Sequence, residues 1–178
     1  MKGCVAHLDI SAVLQLQSSV SILTTNDGKG GCQGCVVTSA VPLTDKPVRI
    51  GVCLSNDNKT YEALCVSKTF QLNICGPNLP IDVLTLFGTR SGRELDKFQG
   101  LPVQLTHDIN NNPQLMEYMA ANLICWVVDS VTIGSHTFFI ALVDDTVLPE
   151  VQIRPMTVLD LYEQGELRAP RHAPIYQK

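Results

Sequence analysis

The chain reads as a mainly β protein, an antiparallel barrel with two or three short helices as lids, and three observations carry that reading. Stretches rich in β-branched and apolar residues recur between turns bearing glycine and asparagine. Only short segments switch to helical spacing. No regular strand–helix alternation of the kind that builds a parallel sheet runs along the sequence. At 178 residues the chain suits one domain, 1–178, large enough to bury a real core.

The elements follow in order. "VSILTT" (20–25) is a strand, "NDGKGG" a turn and "CVVTSA" (35–40) the returning strand of a hairpin. "VRIGVCLS" (48–55) is a third strand, with Pro47 at its start, where a missing N–H costs little. In "NDNKTYEALCVSK" the period changes: Tyr61, Leu64 and Cys65 fall at helical spacing behind Asn58, a candidate N-cap. "TFQLNIC" alternates as a strand, with Phe70, Leu72 and Ile74 on one face. "LPIDVLTLFG" is helical at Leu79, Val83, Leu86 and Phe87, and Gly88 suits its C-terminal end. After the polar "TRSGRELDKFQGLP" come two long strands, "LICWVVDSVTI" and "HTFFIALVDDTVL", joined through Gly134 and Ser135. The tail, about 150–178, opens with a helical pattern and ends proline-rich. It is expected to wrap over the barrel or a dimer partner.

Composition narrows the function. Charged residues make up only 17% of the chain, which points to surface hidden in a partner subunit. A net charge of −4 without a basic run argues against nucleic acid. Apolar runs are broken within about ten residues, too short for a membrane span. The N-terminal stretch lacks the apolar run and cleavage site of a signal peptide, so a cytoplasmic protein is expected. Of seven cysteines, at 4, 32, 35, 53, 65, 75 and 125, only Cys32 and Cys35 have CxxC spacing. No second pair or Cys/His knuckle accompanies them, and no metal site is expected. Cys53, Cys65, Cys75 and Cys125 lie inside hydrophobic runs and read as small apolar fillers.

No dinucleotide fingerprint, P-loop, zinc-protease or serine-hydrolase motif is present. Three loop segments do gather anion-binding groups. Thr38 and Ser39 bring hydroxyls to a strand end, and Lys59 and Thr60 stand at the first turn of a helix, where free N–H groups favour a phosphate. Arg90, Arg93 and Lys97 surround a glycine turn. Each taken alone is equally compatible with a capped helix or a solvated charge run.

Together these residues carry a resemblance. The chain resembles the flavin reductase-like FMN-binding split barrels, nearest their flavoredoxin-type branch, from about Val20 to the C-terminus. The order "VSILTTNDGKGGCQGCVVTSAVPLTDKPVRIGVCLSNDNKTYEAL" follows that family, and "LFGTRSGRELDKF" is the most specific piece. "GSHTFFIALV" and "MTVLDLYEQGELRAPRHAPIY" resemble its later strand and tail. The resemblance implies a Greek-key type split barrel that dimerises, with one FMN per subunit near the interface. It implies that Cys35, Val36, Val37, Thr38 and Ser39 lie along the flavin, and that Asn56, Lys59 and Thr60 form the phosphate site at the helix start. Ser91, Arg93, Lys97 and Phe98 would belong to the segment that closes over the cofactor. His136 matches a histidine near the flavin or the nicotinamide, and is the expected catalytic residue.

Three departures accompany it. Ser135 stands where the family has an acid before the histidine, Ala141-Leu142-Val143 replaces Gly-Glu-Val, and Val48 replaces a second loop proline. The CxxC could be a redox dithiol, half of a metal site, or a pair of small residues beside a cofactor. A thiolate activated by a helix N-terminus is not on offer, because a strand follows. Packing or cofactor lining is therefore the expectation.

The functional expectation is an FMN flavoprotein. It would either reduce flavin with NADH or NADPH, or relay electrons through bound FMN to a rubredoxin- or ferredoxin-like partner. The alternative is a non-catalytic FMN- or haem-binding split barrel, for which His7, His136 and His172 are the candidate axial ligands.

Overall fold

A computed structural model describes residue 16 and residues 18–163. Cys4, His7, His172 and the tail beyond 163 lie outside them. The strands and first two helices are β1 (Ser21–Asn26), β2 (Cys32–Val37), β3 (Val41–Asp45), β4 (Val48–Ser55), α1 (Lys59–Ser67), β5 (Thr69–Cys75) and α2 (Ile81–Thr89). There follow β6 (Leu105–His107), β7 (Pro113–Leu115), β8 (Met119–Ile133), β9 (His136–Val147) and α3 (Val158–Glu163).

Seven strands form one antiparallel sheet in the order β2-β1-β5-β8-β9-β4-β3. Consecutive strands β2 and β3 stand at its opposite ends, yet only residues 38–40 join them. Four Cα steps span at most about 15 Å, so the sheet must curl until its ends meet. Ser39 marks the seam, its Oγ donating to the Cys53 carbonyl at 3.1 Å. The result is the expected mainly β antiparallel split barrel.

Period-two alternation fills the interior. Leu23, Cys35, Val37, Ile50, Val52, Leu54, Phe70, Leu72, Cys125, Phe139 and Ala141 point inward, and Leu64 of α1 closes one end. A second core lies outside β1 and β5, where α2 supplies Val83, Leu84 and Phe87 and the segment before α3 supplies Met156. The helix follows from its sequence, but Gly88 falls within it and Leu84 is buried in place of Leu86.

Three details differ from the expectation. β2 begins at Cys32, so the CxxC lies within a strand and not in the turn. The stretch 41–45 is a fully exposed strand. The polar segment before β8 contains the β6–β7 hairpin, which docks on the outer, polar faces of β1 and β5. Asn73 accepts from Leu115 N at 2.9 Å and donates to the Ile22 carbonyl at 2.8 Å, while Thr24 Oγ1 donates to the Pro113 carbonyl.

Candidate functional site

Beside the seam, where β2 and β4 approach each other, a cleft of about 450 Å³ opens between the start of α1, the end of α2 and the loop 90–98. That size is within the usual range of small-ligand sites. Of the residues expected from sequence, the structure brings Cys35, Val36, Val37, Thr38, Ser39, Lys59, Ser91, Arg93, Lys97 and His136 to its walls.

The polar rim is built from α1. Asn58 caps the helix, its Oδ1 accepting from Thr60 N at 3.0 Å, and the remaining first-turn N–H groups face outward with the positive helix end. Lys59 Nζ donates to Glu62 Oε2 at 2.8 Å, and Glu62 Oε1 also receives Arg93 Nη2. Arg93 Nη1 reaches the Asp57 carbonyl at 2.9 Å. One carboxylate thus ties the loop 90–98 to the helix start, and its two cationic partners hold its pKa below the ordinary glutamate value. Gly92 permits the close fit: a Cβ there would stand 2.1 Å from Gln33 Oε1.

The floor carries a buried cation. Lys97 is only 4% exposed, and its Nζ donates to the Gly34 carbonyl at 2.9 Å and the Phe87 carbonyl at 3.2 Å. Burial pulls its pKa down. Burial pushes the neighbouring Cys35 thiol up to about 11, an effect that the Thr60 hydroxyl and Lys97 partly offset. Cys32 and Cys53 are raised by burial too. These thiols are protonated at neutral pH.

The CxxC geometry rules out a disulfide within the intact strand. Cys32 pairs with Asn26 and Cys35 with Leu23 across the hairpin, so the two thiols point to opposite faces. Their Cα atoms are about 10 Å apart along the strand, beyond the reach of a disulfide. Gly34 between them serves packing, since a Cβ there would meet the Phe87 ring at 2.7 Å.

His136 opens β9 opposite Ser55, half-buried at the cleft edge. Its expected acidic neighbour is absent, but Ser135 takes over: its Oγ stands 2.9 Å from His136 Nδ1. Asn56 fixes this turn. Its Nδ2 donates to the Gly134 carbonyl at 3.3 Å, its Oδ1 accepts from Thr137 Oγ1 at 2.8 Å, and its N–H donates to the Ser135 carbonyl at 2.9 Å.

Asn56, Thr60 and Phe98, expected at the cofactor, are not on the cleft wall. Asn56 orients the histidine turn, Thr60 is buried beneath Cys35, and Phe98 packs edge-on to Phe87 at 5.4 Å. Sequence reasoning missed Cys53, Ser55, Asp57 and Thr89, which do line it. The outward parity of Cys53 and Ser55 on β4 is a signal that could have found those two. Among the described residues no group of three or more His, Cys, Asp or Glu side chains could hold a metal, and no helix is long and apolar enough to cross a membrane.

A family model described as the flavin reductase like domain matches residues 13–168. The chain belongs to the flavin reductase-like family. It is 28% identical over 170 residues to the ferric-chelate reductase (NAD(P)H) of Archaeoglobus fulgidus, covering 95% of this chain and 98% of the relative. It is 27% identical over 169 residues to the high molecular weight rubredoxin of Moorella thermoacetica, covering 95% of this chain and 72% of that one. Among solved structures it resembles an FMN-binding protein from Thermus thermophilus with bound p-hydroxybenzaldehyde. The TM-score is 0.67 at 19% identity, over 84% of this chain and 78% of that one, a likeness of fold.

Proposed function

We propose that the protein is an FMN-dependent oxidoreductase that draws reducing equivalents from NADH or NADPH and delivers them through the cleft at the barrel seam. The observation that carries this reading is the convergence there of a helix N-terminus, the cations Lys59, Arg90, Arg93 and Lys97, and the hydroxyls of Thr38, Ser39 and Ser91. That donor set suits a phosphate at one end and a polar ring edge at the other. The relative named for NAD(P)H-dependent reduction supports the choice of donor.

The residues present fit FMN. Lys59 and the α1 N–H groups would hold its phosphate, and the β2 segment 35–39 would run beside the ring. A bound flavin would supply two-electron chemistry between a nicotinamide donor and an acceptor. The chain supplies placement. Lys97 fixes the floor of the cleft by holding β2 against α2, Arg93 and Glu62 hold the loop 90–98 over the helix start, and Ser135 sets the ring of His136 where the donor would stack.

A second reading of the same site is an electron relay to a rubredoxin- or ferredoxin-like protein, as in a flavoredoxin. The relative named as a rubredoxin supports it. Both readings take the protein as a cytoplasmic homodimer. Support for the dimer comes from the outward face of β4, β8 and β9, where Trp126, Val131 and Ile133 are exposed beside half-buried Phe138, Ile140 and Leu142.

The experiment is a visible absorbance spectrum of the protein incubated with FMN and desalted, repeated anaerobically after NADH and then NADPH. A flavin spectrum that bleaches with a nicotinamide is the expected outcome, and the more effective nucleotide names the donor. A bound flavin that stays oxidised favours the relay. No retained flavin and no flavin reduction would overturn both.

A further inference from the structure

Lys59 is the cation that a ligand's phosphate would need, yet in the chain alone its ammonium already has an anion. Lys59 opens α1 and Glu62 follows three positions later, on the same side of the helix. Lys59 Nζ donates to Glu62 Oε2 at 2.8 Å. Lys59 lines the cleft and Glu62 does not, so the pairing draws the ammonium toward a carboxylate outside the cleft wall. The two oxygens of that carboxylate are divided. Oε1 receives Arg93 Nη2, and Arg93 Nη1 donates to the Asp57 carbonyl at 2.9 Å. Glu62 therefore keeps a cationic partner when Lys59 leaves it, and no charge is stranded. Parting also costs little. The Lys59 and Glu62 side chains are 36% and 44% exposed, and ion pairs so open to water are weak. The backbone beneath them is fixed, because Asn58 accepts from Thr60 N through Oδ1 at 3.0 Å and from Glu62 N through its carbonyl at 3.3 Å. An exchange of partners needs only rotation of the lysine side chain.

We propose that Glu62 holds Lys59 as an internal substitute for a ligand's phosphate, and that this competition sets how strongly the cleft prefers a flavin with a phosphate over one without. The inference rests on the FMN reading and adds to it a residue outside the cleft wall. A phosphate monoester carries about two negative charges at neutral pH against the carboxylate's one, so it wins the ammonium. Its net gain is smaller by the pair that it breaks. A flavin without a phosphate leaves Lys59 on Glu62 and gains nothing there. Arg93 stays on Glu62 in both states, so the loop 90–98 keeps its tie to α1 while the lysine changes partner. Glu62 is thus a positioning residue that acts through Lys59.

Glu62→Gln isolates the effect. The amide keeps an oxygen for Arg93 and turns the other position into an N–H donor, which cannot accept from Lys59. The test is the dissociation constant of FMN and of riboflavin, the same ring system without the phosphate, read by flavin fluorescence at one fixed ionic strength. Native protein, Glu62→Gln, Lys59→Met and the double variant are compared, each checked for folding by far-ultraviolet circular dichroism. Glu62→Gln should bind FMN about fivefold more tightly, the scale of an exposed ion pair that no longer has to be broken, and riboflavin within about twofold of native. In the Lys59→Met background the same exchange should move FMN affinity by less than about twofold. Weaker FMN binding by Glu62→Gln would mean that the carboxylate serves the site by holding its rim, and would overturn the competition. An equal shift for FMN and riboflavin, or a gain that persists without Lys59, would overturn it too. Unchanged FMN affinity in Glu62→Gln, beside a native protein that binds FMN, overturns the competition alone. A native protein that binds neither flavin overturns the FMN reading, and this inference with it.

Discussion

At the scale of single residues, Lys97 joins fold and site. The side chain is buried, its ammonium is 5.7 Å from the centre of the Phe87 ring, and it satisfies one carbonyl on β2 and one on α2. Lys97→Met keeps the stem but leaves both buried carbonyls without their donor. The expected loss is about 1.5–3 kcal/mol, the usual scale for hydrogen bonds to a charged group, read by urea denaturation. A native midpoint in the variant would mean that water replaces the amine at no cost. The sequence placed this lysine in the segment over the cofactor and could not place its amine. Whether a lysine near a turn points outward or is drawn under a helix depends on carbonyls brought from 63 and 10 positions away. The CxxC has the same lesson. Its spacing is chemical information only once the backbone is known, and a strand separates what a helix N-terminus would have joined.

At the scale of elements, legibility tracked length and period. β4 and β5 match the strands read from their sequences, and α1 starts behind the cap that Asn58 suggested. β6 and β7 have three residues each, too few for alternation to register, and polar contacts with β1 and β5 decide their pairing. Another local device, the cap of α3, went unread although its residues were in view. Thr157 Oγ1 accepts from Asp160 N at 3.3 Å while Asp160 Oδ2 accepts from Thr157 N at 2.7 Å, a reciprocal box at the helix start. Arg154 adds bonds of 2.9 and 2.8 Å to the same carboxylate, and these contacts hold its pKa well below the ordinary aspartate value of 3.8. A folded pKa below the unfolded one means that the folded chain binds fewer protons, so the stabilisation is complete above 3.8 and fades as the pH falls below it. Asp160→Asn should therefore cost about 1 kcal/mol at neutral pH, the scale of a lost cap. The gap between variant and native midpoints should narrow in acid. A gap independent of pH would detach the effect from this carboxylate.

At the scale of the whole molecule, the barrel and the cleft are one consequence of strand order. Because β2 and β3 are joined by residues 38–40 and yet lie at opposite ends of the sheet, the ends must meet, and the cleft forms where they do. Single-residue patterns foretold many members of that cleft but not its extent, since Cys53 and Ser55 enter from β4 only once the sheet has closed. The same closure ties the site to the proposed dimer face. Cys53, Ser55 and His136 line the cleft, and in the ladder they share outward rows with Phe138, Val131 and Ile133. A second copy on that face would bury one shoulder of the cleft and raise the contact available to a flavin. Linkage then requires that FMN tighten the dimer by the same factor by which dimerisation tightens FMN. Titrating FMN at protein concentrations well below and well above the dimer dissociation constant should give a smaller Kd at the higher concentration. Trp126→Glu, which sets a charge on that exposed apolar face, should hold the weaker value across the whole range. An FMN affinity that does not change with protein concentration, in a protein shown by sedimentation to dimerise over that range, would mean that each cleft is complete within its own chain.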